Sequence, residues 1–181
     1  GHRIMADCLS NLFAKLDGQE KASDESYTGV KAVLGDSFET VRLLDRKDIP
    51  DGVSIECGGF CDSDTELQKG EHYENTVATP EFPYNWKHSS GTGEESFRLQ
   101  IKCRVLLIVY KDSGDNNAGK ADVYADGVLA KTIDPREIGW THCNPYIIVR
   151  GKESVKHEIE IKMHAGNENK DFTILGFGYV E

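Results

Sequence analysis

The chain holds no apolar run longer than the six residues at 105–110. A bilayer-spanning helix needs about 20 such residues, so no segment reads as one. Basic residues are scarce beside acidic ones: 21 Lys and Arg stand against 31 Asp and Glu, a net charge of -10. Nucleic acids are held by clustered Lys and Arg, and anionic membrane surfaces attract the same residues. Neither is expected as a partner. Neutral ligands such as sugars stay open, and so do cationic ones. Cysteine is sparse and odd in number: Cys8, Cys57, Cys61, Cys103 and Cys143. Such a set is no disulfide framework. Mostly free, buried thiols are expected, with a bridge between Cys57 and Cys61 as the alternative. No Cys/His pair has zinc-ligand spacing, and there is no Gly-x-Ser-x-Gly elbow. No secretory leader is visible. The chain opens inside a helix, so the compartment stays unknown.

What is present divides into three parts. Ile4, Met5, Cys8, Leu9, Leu12, Phe13 and Leu16 recur at three- and four-residue steps, which predicts an amphipathic helix over 2–16. Gly18 is placed to end it. Residues 18–36 are polar apart from a short apolar island at 30–34, and read as a linker. From residue 37 the pattern turns strand-like. Candidate strands are 38–44, 53–57, 97–103, 105–110, 121–125, 128–133, 146–149, 157–163 and 172–180. Asp126-Gly127 between two of them signals a tight hairpin. Gly58-Gly59 suggests a bulge or turn. The acidic stretch 62–81 carries no assignment. Many short strands with turns between them and no interleaved helices predict an all-β antiparallel sandwich, or jelly roll, over 37–181.

Two stretches carry a family resemblance. Gly1-His2-Arg3-Ile4-Met5-Ala6-Asp7 resembles the segment just after the last catalytic block of SGNH (GDSL-like) hydrolases. A longer match covers 97–180: Gly119-Lys-Ala-Asp-Val-Tyr-Ala-Asp-Gly, Gly139-Trp, Asn144-Pro-Tyr and Phe172-Thr-Ile-Leu-Gly-Phe-Gly-Tyr. This is similar to the galactose-binding-like jelly-roll domain of some bacterial SGNH esterases of the carbohydrate-esterase or acetylxylan-esterase kind. The resemblance implies a hydrolase domain followed by a β-sandwich. The helix at 1–17 would then be the hydrolase's closing element, and its nucleophile, oxyanion and Asp/His blocks would lie upstream. Gly35-Asp36-Ser37 spells the family's nucleophile block but stands at the wrong place, and reads as a turn. His2 reads as a helix-end residue. No catalytic residue is assigned.

Sugar recognition needs flat aromatic faces for the ring and planar polar groups for the hydroxyls. Two segments between strands supply that mixture. One holds Tyr84, Asn85 and Trp86; the other holds Trp140, His142 and Asn144. These six are the candidate ligand-binding residues. Each tryptophan has an equally plain alternative as a plug in the sandwich core. A further alternative has these loops complete the substrate cleft of the hydrolase. Asp112, Asp115 and Asn116, or Asp62, Asp64 and Glu66, could hold a structural Ca²⁺ through oxygen. Neither run matches an EF-hand, and solvated acidic loops explain both; no cofactor is expected. Arg150, Lys152 and Lys156 read as a solvated strand edge. The expected role is a non-catalytic accessory module that binds carbohydrate. The alternative is an interaction domain that docks on the upstream hydrolase, or self-associates through the 2–16 helix.

Overall fold

The computed structural model describes residues 2–17, 35–66 and 82–181. Most of the predicted linker, and 67–81 of the acidic stretch, lie outside the described residues. The chain divides into two units, Gly1–Asp36 and Ser37–Glu181. The first contains helix α1, His2–Leu16. The second is built from β1 (Arg42–Leu44), β2 (Ser54–Glu56), β3 (Trp86–His88), β4 (Phe97–Asp112), β5 (Ala121–Ala125), β6 (Val128–Ile133), β7 (His142–Met163) and β8 (Phe172–Val180). Every strand pairing is antiparallel.

The architecture is the expected antiparallel β-sandwich of jelly-roll type, organised by two long strands. The order is β1-β8-β4-β7-β5-β6, with β2 on β4 and β3 on β8. β4 and β7 pair along nearly their whole length, with a break in register between Cys103 and Val105. The first part of β4 takes β2 as its other neighbour and the last part takes β8. Each long strand thus serves both layers, and the sheet closes over its own core. Phe97 on the first part of β4 stacks against Phe177 on β8 at 5.8 Å, although the two are not sheet neighbours.

The long strands correct the sequence reading, which split each in two. In β4 the alternation of buried and exposed residues continues through Arg104. In β7 the polar run 150–156 looks like a loop, yet it remains strand. Its residues are mostly exposed, and 151–154 bulge out opposite Arg104, where the sheet bends. Two other segments differ. The first strand begins at Arg42, not at 38, because 37–40 form a turn and the Phe38 ring lies under Arg150 at 5.7 Å. Residues 86–88, read as loop, pair with β8.

The Asp126-Gly127 hairpin joins β5 to β6 as predicted, with φ of 51° and 79°. Positive φ at both central residues is what a type I′ turn requires. Gly58-Gly59 is also a turn, and a Cβ on Gly58 would strike the Ser96 carbonyl. The core is aromatic at one end, with Phe60, Trp86, Phe97, Phe172 and Phe177 buried, and aliphatic along β4, β7 and β8. None of the five cysteines forms a disulfide, so Cys57 and Cys61 are not bridged. Only Cys103 is buried, which corrects the expectation of mostly buried thiols: Cys8 and Cys61 are exposed, and Cys57 and Cys143 are half-buried. Burial pushes the Cys103 thiol up to about 11.

Candidate functional site

The six candidate residues part company in the structure. Trp86 is 0% exposed, its indole 5.3 Å from the Phe97 ring and 6.1 Å from that of Phe177. Of its two readings, the core plug is the one the structure takes. Asn85 is also buried and serves the backbone. The Asp64 N–H donates to Asn85 Oδ1 at 2.7 Å, and Asn85 Nδ2 donates to the carbonyls of Asp64 and Phe82 at 2.9 and 2.8 Å. Neither side chain is open to a ligand. Tyr84 is 42% exposed, with Lys47 Nζ 5.2 Å from its ring centroid.

Trp140, His142 and Asn144 come together where β4 ends and β7 begins. The cause is strand alternation. Asp112 pairs with His142 and Tyr110 with Asn144, so all four side chains lie in one row. Asp112 is fully buried. Its Oδ2 accepts from Asn144 Nδ2 at 2.8 Å and lies 3.2 Å from His142 Nε2. His142 in turn stacks on Trp140, with centroids 4.5 Å apart and ring planes 22° apart. Trp140 is 57% exposed. The result is a solvent-facing indole backed by an imidazole that a buried carboxylate holds. Tyr110 belongs to the same row, and burial, then the Asp112 carboxylate, push its phenol up to about 12.

Asp112 is the member that the sequence reading misplaced, having offered it as a calcium ligand. Its carboxyl serves the β4–β7 row, and its Oδ1 is buried with no hydrogen-bond partner. Asp64, from the other proposed calcium run, is bound to Lys111 Nζ at 2.8 Å and to Thr173 Oγ1 at 2.9 Å. Among the described residues no three His, Cys, Asp or Glu side chains are grouped to hold a metal ion.

Burial raises the Asp112 carboxyl above its ordinary 3.8 against the lowering pull of Asn144 and His142, while Glu137 and Asp134 raise it further. For an acid whose folded value is raised, protonation favours the folded state. That contribution is present at low pH and is lost as pH rises through the folded value. A carboxyl ¹³C titration of Asp112 is therefore expected to have its midpoint above 3.8. A midpoint at or below 3.8 would show that the Asn144 and His142 contacts outweigh burial.

The arrangement offers stacking and hydrogen bonding more than bond chemistry. His142 Nε2 faces Asp112 and its Nδ1 lies 3.4 Å from the Trp140 carbonyl. Both nitrogens of His88 face carbonyl oxygens, those of Lys170 and Gly93. His157 and His164 each turn Nδ1 to a carboxylate, of Asp126 and Asp122. None of these contacts pairs an imidazole with a hydroxyl nucleophile, the first requirement of acyl transfer. Ser37 lies in the turn before β1, where its Oγ accepts from Arg150 at 3.4 Å.

No family model matches the chain, and no curated protein sequence matches it. Solved structures do. Two crystal structures of a two-domain esterase (CEX) active on acetylated mannans share the fold. One has a TM-score of 0.65 at 17% identity, covering 100% of this chain and 47% of that one. The other, co-crystallized with mannopentaose, has a TM-score of 0.62 at 16% identity, covering 100% and 46%. The chain thus spans about half the length of these structures. A family 35 carbohydrate binding module from Clostridium thermocellum aligns with a TM-score of 0.45 at 11% identity, over 78% of this chain and 99% of that one.

Proposed function

We propose that this chain is a non-catalytic accessory module of a carbohydrate esterase, and that it binds carbohydrate through Trp140 with His142 and Asn144. The observation that carries the reading is the exposed indole stacked on an imidazole that Asp112 anchors. Sugar rings present an apolar face that stacks on such a surface, and side-chain amides and imidazoles meet their hydroxyls. A rigid platform loses little side-chain entropy on binding. The shared fold with a mannan-active two-domain esterase, of which this chain matches about half, supports the esterase setting and makes manno-oligosaccharides the first ligands to try.

Calorimetric titration of the chain with mannopentaose tests it. Saturable binding is expected, and Trp140→Ala is expected to weaken it at least ~10-fold, which corresponds to about 1.4 kcal/mol. An unchanged affinity in that variant would remove the platform.

A second reading is favoured by the outer face of β1, β8, β4 and β7. There Leu43 pairs with Gly178, Gly178 with Leu107, and Leu107 with Ile147. Leu43 and Ile147 are exposed, as is the neighbouring Val41. Apolar rows of this kind mark docking faces. In this reading the module seats against a hydrolase domain and completes its substrate cleft. It predicts no binding by the chain alone, and binding once the hydrolase domain is joined to it.

A further inference from the structure

Asp112 and Lys111 alternate at the end of β4. The first anchors the Trp140 platform, and the second enters a cleft of about 350 Å³ that the platform does not use. The two features adjoin. Ser113 and Pro135 line the cleft, and the Ser113 N–H donates to the Pro135 carbonyl at 2.7 Å. Gly114 then packs so closely on Gly139 that a Cβ would strike the Gly139 carbonyl. Trp140 is the next residue.

Two ion pairs form the cleft's polar surface. Lys111 Nζ lies 2.8 Å from Asp64 Oδ2, and Lys87 Nζ lies 2.9 Å from Asp171 Oδ2. Burial would lower the Lys87 ammonium, yet the carboxylates of Asp171, Asp64 and Asp62 hold it above its ordinary 10.5. Both cations are thus already matched. Each pair sets an N–H donor beside a carboxylate acceptor within hydrogen-bond reach. A hydroxyl needs that combination, since it donates one proton and accepts another. Neighbouring hydroxyls on a sugar ring can engage donor and acceptor together. A carboxylate ligand would meet Asp64, Glu66, Asp115 and Asp171 against two paired lysines, and like charges in a shared site repel.

We infer that this cleft is a second sugar subsite, taking the hydroxyls of an uncharged residue further along the chain whose neighbour stacks on Trp140. It rests on the carbohydrate-binding reading above, and narrows the ligand to a neutral oligosaccharide bound along its length.

The test is calorimetric titration of the 181-residue chain with manno-oligosaccharides from biose to hexaose, and with oligogalacturonides of matching lengths. Affinity is expected to rise roughly tenfold from mannobiose to mannopentaose, with no binding of the acidic series. The double variant Lys87→Gln/Asp171→Asn keeps the charge balance. It should abolish the rise while mannobiose binds as to the unaltered chain. A length-independent affinity in the unaltered chain overturns the subsite without reference to any variant. So does a rise that survives the double change, or tight binding of oligogalacturonides. In those cases the platform reading stands if Trp140→Ala still removes binding. Failure of every oligosaccharide to bind overturns both.

Discussion

Trp86→Ala is expected to cost the sandwich about 3–5 kcal/mol, the range for deleting a large buried aromatic. The indole is wholly enclosed between Phe97 and Phe177, and its backbone pairs with Ile174 of β8. Removing it opens a cavity where β3 and β8 meet the first part of β4. Rings packed at these centroid distances also lose their mutual attraction, about 0.5–1.5 kcal/mol for each pair. In a domain of this size each kcal/mol moves the melting midpoint by roughly 2–4 °C, so a fall of about 10 °C is expected by circular dichroism. Titration of mannopentaose well below the variant's midpoint should give unaltered affinity. The pattern is the reverse of Trp140→Ala, which touches a mostly exposed ring and should leave the melt nearly unchanged. A Trp86 variant that melts normally but loses binding would place that indole on the ligand face.

The difference between these two tryptophans was not legible in the sequence, and the reason is physical. Both stand in short segments with proline and polar neighbours, where no periodicity assigns a face. Trp86 is buried because β3 adds to β8, a pairing between positions 86 and 174. Asn85 is buried because it ties down Asp64, 21 positions away. Three residues of strand are too short to show alternation. The hairpin at Asp126-Gly127 was legible because its turn chemistry is local. β8 was legible as a strand too, with β-branched and aromatic residues over nine positions. The Asp112 row could have been found. Inward positions on β4 run Leu106, Ile108, Tyr110, and the next step of two is Asp112. His142 and Asn144 keep the same period on β7. The apolar stretch stops at Tyr110, so the strand was ended one inward residue too early.

Asp64 and Lys111 are expected to give the second large effect. Asp64→Ala leaves a mostly buried ammonium without its carboxylate and deprives Thr173 of its acceptor. Removing one partner of a buried pair costs about 3–5 kcal/mol; because Lys111 keeps some solvent access, the low end, about 3 kcal/mol, is expected at neutral pH. The double change Asp64→Leu/Lys111→Met should recover much of this, since it removes the stranded charge as well. The pH dependence separates the charge from the packing. Burial alone would raise the Asp64 carboxyl. The Lys111 hydrogen bond, the Glu66 N–H, the Lys111 charge and the Thr173 hydroxyl together bring it below its ordinary 3.8. An acid with a lowered folded value contributes stability above its ordinary value and loses it as pH falls through the folded one. Urea melts of the unaltered chain should therefore show stability falling below about pH 4, with a shallower fall in Asp64→Asn. Asp126, Asp134 and Glu168 are also lowered, each by different partners. An acid limb unchanged in Asp64→Asn would assign the loss to those three, and the neutral-pH cost of Asp64→Ala to the lost contacts with Thr173 and the Glu66 N–H.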